Sequence, residues 1–245
     1  MINKNYKKTY KEINEKKYYF IESGSGYPIV LLPGWMSIID KPPYTRIYNS
    51  NFTKALDGFH FHMIHLSNFY KSDFDSKINN IDAYADDLKQ FVDIMGWKQF
   101  HLIGHSAGGR LAIYFTAKYP EYVNKLVLMN AAGLKHRKAD GKMMKKVHYY
   151  FGKFFASKEE QEFLRPILKN MFDFEISALV PAIKKKTLII WGGKDKLISV
   201  TKGKQLHEMI VGSEMIVYDE LDHMTVTKSE VYVDIFNFLK QDDNR

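Results

Sequence analysis

The chain is 245 residues long, carries a formal net charge of +8, and is 45% hydrophobic, 15% aromatic and free of cysteine. This length and apolar content suit one packed domain and exclude a disordered chain, and the missing cysteines exclude disulfides, thiolate nucleophiles and cysteine-bound zinc. Met1 to Lys8 is charged with no apolar stretch behind it, unlike a signal peptide, and no run approaches the ~18 apolar residues of a spanning helix, so a cytoplasmic protein without stable membrane insertion is expected. The positive charge reads as the bias of a Lys-, Asn-, Ile- and Tyr-rich composition, and no nucleic-acid partner is expected.

Tyr6 to Ile13 and Lys17 to Glu22 read as two strands of an antiparallel hairpin, joined by a polar turn at Asn14-Glu15-Lys16. Pro28 to Leu32 is a continuous apolar run, the mark of a strand buried on both faces of a parallel sheet, and it ends at Pro33-Gly34-Trp35. Met36 to Arg46 is irregular, with Pro42-Pro43 blocking a helix. Phe59 to Leu66 is a further strand on which His60 and His62 share a face by the period of two. Ile81, Tyr84, Ala85, Leu88, Phe91, Val92 and Met95 form the apolar stripe of a helix that stops at Gly96. Lys98 to Ile103 is a short strand, and Leu111 to Tyr119 is a helix ending at Pro120. Strands at Leu126 to Met129, Thr187 to Trp191 and Glu214 to Tyr218 alternate with helices at Ser199 to Ile210 and Val226 to Lys240. This alternation predicts an α/β fold, a mainly parallel sheet of about eight strands with helices on both faces. Between Gly133 and Pro181 the character is helical and too long for a simple connection. It divides the chain into a core, 1–133 and 182–245, and a helical cap over 134–181.

The stretch Gly104-His105-Ser106-Ala107-Gly108 lies between a strand and a helix. The turn forces Ser106 into a strained conformation, and glycines two before and two after relieve the crowding, which is the logic of a G-x-S-x-G nucleophile elbow. Such a five-residue pattern arises by accident in roughly one chain of this length in ten, so its context must carry it. The elbow requires an acid and then a histidine downstream. Asp195, in Trp191-Gly192-Gly193-Lys194-Asp195, follows the penultimate strand, and His223, in Asp222-His223, follows the last one, so all three residues belong at one edge of the sheet. Asp219 and Asp222 are nearer to His223 in sequence, but Asp222 adjoins it and neighbours in an extended loop point apart.

With these motifs, Leu31-Leu32-Pro33-Gly34-Trp35 included, the chain resembles the α/β-hydrolase superfamily from Tyr18 to Leu239. Many relatives carry His-Gly where this chain has Pro33-Gly34; because the family uses backbone N–H groups there, the change is compatible with an oxyanion hole while altering the rim of the pocket. The resemblance implies Ser106 as nucleophile, His223 as general base and acid, Asp195 as the group orienting the imidazole, and the N–H groups of Ala107 and Trp35 as oxyanion donors. The implied reaction is hydrolysis of a small-molecule carboxylic ester through an acyl-enzyme, without a cofactor. The same scaffold also hosts thioesterases, amidases, C–C hydrolases, acyltransferases, interfacial lipases and receptor-like binders.

In the cap, Met143, Met144, Tyr149, Tyr150, Phe154 and Phe155 are candidates for an acyl pocket. The lysines around them would suit an anionic substrate or an acidic carrier protein, or simply form a solvated face. His60, His62 and His65 raise the question of an H-x-H metal pair. Without a neighbouring carboxylate–histidine motif they read as strand residues, and no metal is expected.

Overall fold

The computed structural model describes residues 6–34, 58–69, 71–134, 170 and 174–241. The strands are β1 (Lys7–Ile13), β2 (Lys16–Gly24), β3 (Tyr27–Leu32), β4 (Phe59–His65), β5 (Phe100–His105), β6 (Val123–Met129), β7 (Lys186–Gly192) and β8 (Glu214–Tyr218). They form one eight-stranded sheet in the order β1-β2-β4-β3-β5-β6-β7-β8. β2 pairs antiparallel with both β1 and β4, and every pairing from β4 to β8 is parallel. The expected sheet, with its antiparallel N-terminal pair, is therefore present. The hairpin turns tightly on Asn14 and Glu15, at φ 48° and 66°, the doubly left-handed backbone that matches strand twist.

The described helices are α1 (Ile81–Ile94), α2 (Ala107–Lys118), α3 (Val200–Met209) and α4 (Ser229–Lys240). α1 starts where the Asn80 side chain accepts the Ala83 N–H at 2.9 Å, and the chain leaves it through Gly96 at φ 75°. One sheet face packs Val30, Leu102 and Leu128 against Leu88, Phe91, Leu111, Phe115 and Leu206 of α1, α2 and α3. The other packs Leu31, Ile103, Val127 and Ile190 against Val231, Ile235 and Phe236 of α4. Burial of β3 on both faces is why it reads as an unbroken apolar run.

Two polar devices are buried with this core. Asp87 of α1 accepts from the Tyr18 hydroxyl and, at 2.9 Å each, from the Ser67 N–H and hydroxyl, joining β2, the loop after β4 and the helix. Lys125 of β6 donates to the carbonyls of Phe238, Leu239 and Gln241, capping the end of α4.

Two boundaries differ from expectation. The elbow strand runs on to His105, two residues past Ile103, so the turn to α2 is a single residue. The last helix does not begin at Val226: Thr225–Thr227 is a separate 3-10 turn, Lys228 is extended at φ −104°, and α4 starts at Ser229. The buried Thr225 side chain draws that turn inward to Asn130, off the axis of α4. The Met36 to Arg46 segment, Trp35 and the cap residues singled out above lie outside the described residues. No described helix is long and apolar enough to cross a membrane.

Candidate active site

β5, β7 and β8 run parallel, so the loops that leave them open at one edge of the sheet. At the end of β5, Ser106 adopts φ 53° and ψ −118° before α2 begins. Holding a non-glycine residue there costs about 1–3 kcal/mol, which the surrounding packing must offset. The flanking glycines make that packing possible. A Cβ on Gly108 would sit 2.2 Å from the Leu32 carbonyl oxygen and 2.5 Å from that of Pro33, and one on Gly104 would lie 2.6 Å from the Gly109 Cα. The elbow therefore presses directly on the end of β3, and its backbone is tied to β6 by the Ser106 N–H to Met129 carbonyl bond of 3.0 Å.

His223, in the loop after β8, places Nε2 2.9 Å from Ser106 Oγ and Nδ1 2.7 Å from Asp195 Oδ2. With Nδ1–H donating to the carboxylate, the Nε2 lone pair faces the serine hydroxyl, the tautomer that can take its proton. The Asp195 side chain is fully buried, and each oxygen has two partners. Oδ1 accepts the Leu197 and Ile198 N–H groups at 2.8 Å, and Oδ2 accepts His223 and, at 2.7 Å, the Asn130 amide. Burial alone would raise its pKa, but the hydrogen bond and charge of His223, the Ile198 N–H and Asn130 outweigh it and hold the carboxyl below its ordinary value. Asp222 and Asp219 are exposed, and Asp222 accepts its own loop's Met224 N–H at 2.8 Å. Of the three downstream aspartates considered, Asp195 is the one brought to the imidazole.

Three residues join this arrangement that the sequence did not single out for it. Asn130, at φ 44° just past β6, donates to Asp195 and accepts from the Thr225 hydroxyl. His105, buried, donates from Nε2 to the His223 carbonyl at 3.0 Å. Burial, and then the neighbouring His223, press its pKa down to about 3, so it stays neutral and fixes the His223 backbone without competing for charge. A polar residue one step past the end of a buried strand, as Asn130 is, was the available signal.

Ala107 is the first residue of α2, where an N–H has no intrahelical acceptor. Trp35, the other expected donor, lies outside the described residues. Beside His223 a cavity of about 550 Å³ opens between Leu197, Leu221 and Met224, with Lys194, Lys196, Lys228, Glu220 and Asp222 on its walls and Lys194 paired with Glu220.

Comparison with known proteins gives a family and a set of distant relatives. Residues 27–175 match the family model described as alpha/beta hydrolase fold. The chain is 25% identical to a 2-hydroxy-6-oxononadienedioate/2-hydroxy-6-oxononatrienedioate hydrolase of Escherichia coli (strain K12), over 78% of this chain and 80% of that protein. It is 22% identical to a 2-hydroxy-6-oxo-6-phenylhexa-2,4-dienoate hydrolase of Comamonas testosteroni, over 87% of each. Among solved structures, an alpha/beta hydrolase enzyme from a Medee basin deep-sea metagenome library superposes with a TM-score of 0.78 at 17% identity, covering 97% of this chain and 99% of that one.

Proposed function

Because the chain belongs to the alpha/beta hydrolase fold family, we propose that it is a serine hydrolase that opens a carbonyl compound through an acyl-enzyme on Ser106. The observation that carries this reading is the continuous relay from Ser106 Oγ through His223 to Asp195, at 2.9 and 2.7 Å, with the serine held out of the sheet at φ 53°.

On a carboxylic ester, Ser106 Oγ adds to the carbonyl carbon while His223 Nε2 takes the hydroxyl proton, and Asp195 stabilises the imidazolium. The oxygen that gains charge lies toward the α2 N-terminus, where the Ala107 N–H and, on the family's pattern, that of Trp35 would receive it. Collapse breaks the C–O bond, the alcohol leaves with the proton from Nε2, and water releases the acyl group by the same steps reversed.

A second reading is favoured by the relatives. A 2-hydroxy-6-oxo-dienoate carries a ketone and no ester, so hydrolysing it breaks a carbon–carbon bond. The same serine addition would serve, with the electron pair of the departing carbon delocalised into the 2-oxo group formed on tautomerisation, and the proton again supplied by His223. With Lys194 paired to Glu220, Lys196 and Lys228 beside His223 would suit carboxylated substrates on either reading.

A fluorophosphonate probe should label Ser106, and Ser106→Ala or His223→Ala should abolish turnover. Labelling elsewhere, or undiminished turnover, overturns the assignment. Rates on a p-nitrophenyl ester panel and on 2-hydroxy-6-oxo-6-phenylhexa-2,4-dienoate then separate the two readings.

A further inference from the structure

A second cluster of histidine and carboxylate lies away from the serine. On β4, His60 and His62 point to one face, and the antiparallel pairing of β2 puts Glu22 directly opposite His62. Glu22 Oε2 is 3.2 Å from His60 Nε2 and 3.7 Å from His62 Nε2, and the candidate ligand atoms of all three residues lie within 4.8 Å of one another. The cluster is remote from Ser106 along the sheet. His62 is level with Val30 and, through it, with Leu102, four residues before the elbow serine, roughly 13 Å at the rise of a strand.

We propose that Glu22, His60 and His62 bind a divalent transition-metal ion of the zinc type, clamping β2 to β4 where the antiparallel part of the sheet meets the parallel part.

The geometry of the cluster supports a metal over a simple ion pair. His62 is wholly buried, and its Nδ1 donates to the His60 carbonyl at 3.1 Å, so the lone pair is on Nε2. That Nε2 is buried and makes no hydrogen bond. A proton shared between His60 and Glu22 would satisfy those two residues and leave the His62 lone pair unused, whereas a cation at the centre uses all three.

The outer contacts also suit a ligand set. Glu22 Oε1 accepts the Thr9 hydroxyl at 3.0 Å, which turns Oε2 toward the imidazoles. The Trp97 ring packs 4.4 Å from the His62 ring and closes that side, while His60 is about one-third exposed and leaves an entry and a fourth position for water. Two imidazoles and one carboxylate select zinc, cobalt or nickel over magnesium or calcium. From the sequence alone these histidines read as plain strand residues for want of a carboxylate. The carboxylate comes from a strand thirty-eight residues or more away in the chain, and only the register reveals it.

The test uses the full chain after chelator treatment. Co2+ titration should give one equivalent with the visible d–d bands of a four-coordinate site, and Zn2+ should displace it. Zn2+ at a hundredfold excess over Kd should raise the melting temperature by about 5 °C. Glu22→Gln and His60→Gln, both at partly exposed positions, should fold and should each weaken binding by at least about tenfold. Ester turnover and fluorophosphonate labelling should be unaffected in both variants, which separates failure here from failure of the hydrolase reading. A wild-type protein whose spectrum and melting temperature ignore both metals, or a response that survives undiminished in both variants, overturns the proposal.

Discussion

Asp195 and Asp87 are both buried carboxylates with several donors around them, and their pKa values move in opposite directions. Around Asp87 the donors are the Tyr18 and Ser67 hydroxyls and one N–H, all neutral, and burial wins, so its carboxyl rises above its ordinary value. Around Asp195 the partners include the imidazole of His223, whose hydrogen bond and charge, with Ile198 and Asn130, outweigh burial. The buried acid that hydrogen-bonds a chargeable imidazole is therefore lowered, and the one hydrogen-bonded only by neutral groups, with just the smaller pull of the Lys16 charge, is raised. The first is suited to stabilising an imidazolium during turnover, and the second to tying a strand to a helix.

The steepest loss of activity is expected at Asp195. Asp195→Asn should lower kcat about 10^4-fold, because an amide no longer holds the required tautomer, whereas Asp87→Asn should leave kcat within about twofold. Steady-state rates on one ester for both variants check this. Asn130→Ala, which removes one donor from Asp195 and the acceptor of Thr225, should lower kcat about tenfold with KM little changed. Asp87→Ala strands the Tyr18 hydroxyl and the Ser67 N–H, and should cost about 2 kcal/mol in urea unfolding with turnover per folded molecule retained.

The smallest effect is in the pH dependence of stability. Asp87 is raised in the fold, so the native state holds more protons than the unfolded chain above pH 3.8, and its contribution falls as pH rises through its folded pKa. Asp195 is lowered, so its contribution is present above pH 3.8 and is lost as pH falls through its folded pKa. Relative to wild type, Asp87→Asn should therefore gain stability with rising pH on the upper side of 3.8, and Asp195→Asn should show its difference on the lower side. Unfolding curves across an acid pH series would expose equal slopes if the contrast is wrong.

What the sequence made legible was what local pattern encodes. β3 announces itself because burial on both faces leaves no room for polar residues, and Ser106 because a one-residue turn demands glycines at fixed offsets. Asp195 and His223 followed from chain order at strand ends. Asn130 and Thr225 did not, because their bond spans 95 residues and depends on how a 3-10 turn packs under a strand. The same turn misled the helix boundary, since Val226 is apolar and continues the stripe of α4 without belonging to it. Glu22 was invisible for a related reason: pairing register, and not sequence distance, sets it beside His60 and His62.

β3 and β5 are neighbours, yet the chain leaving β3 returns as β4 on one flank, while the chain leaving β5 returns as β6 on the other. Connections that diverge in this way leave a crevice between the two strand ends, and Ser106 stands at its lip. The opening is thus a property of the winding of the sheet, so wholesale exchange of the surrounding loops would change what enters it while leaving the mouth where it is.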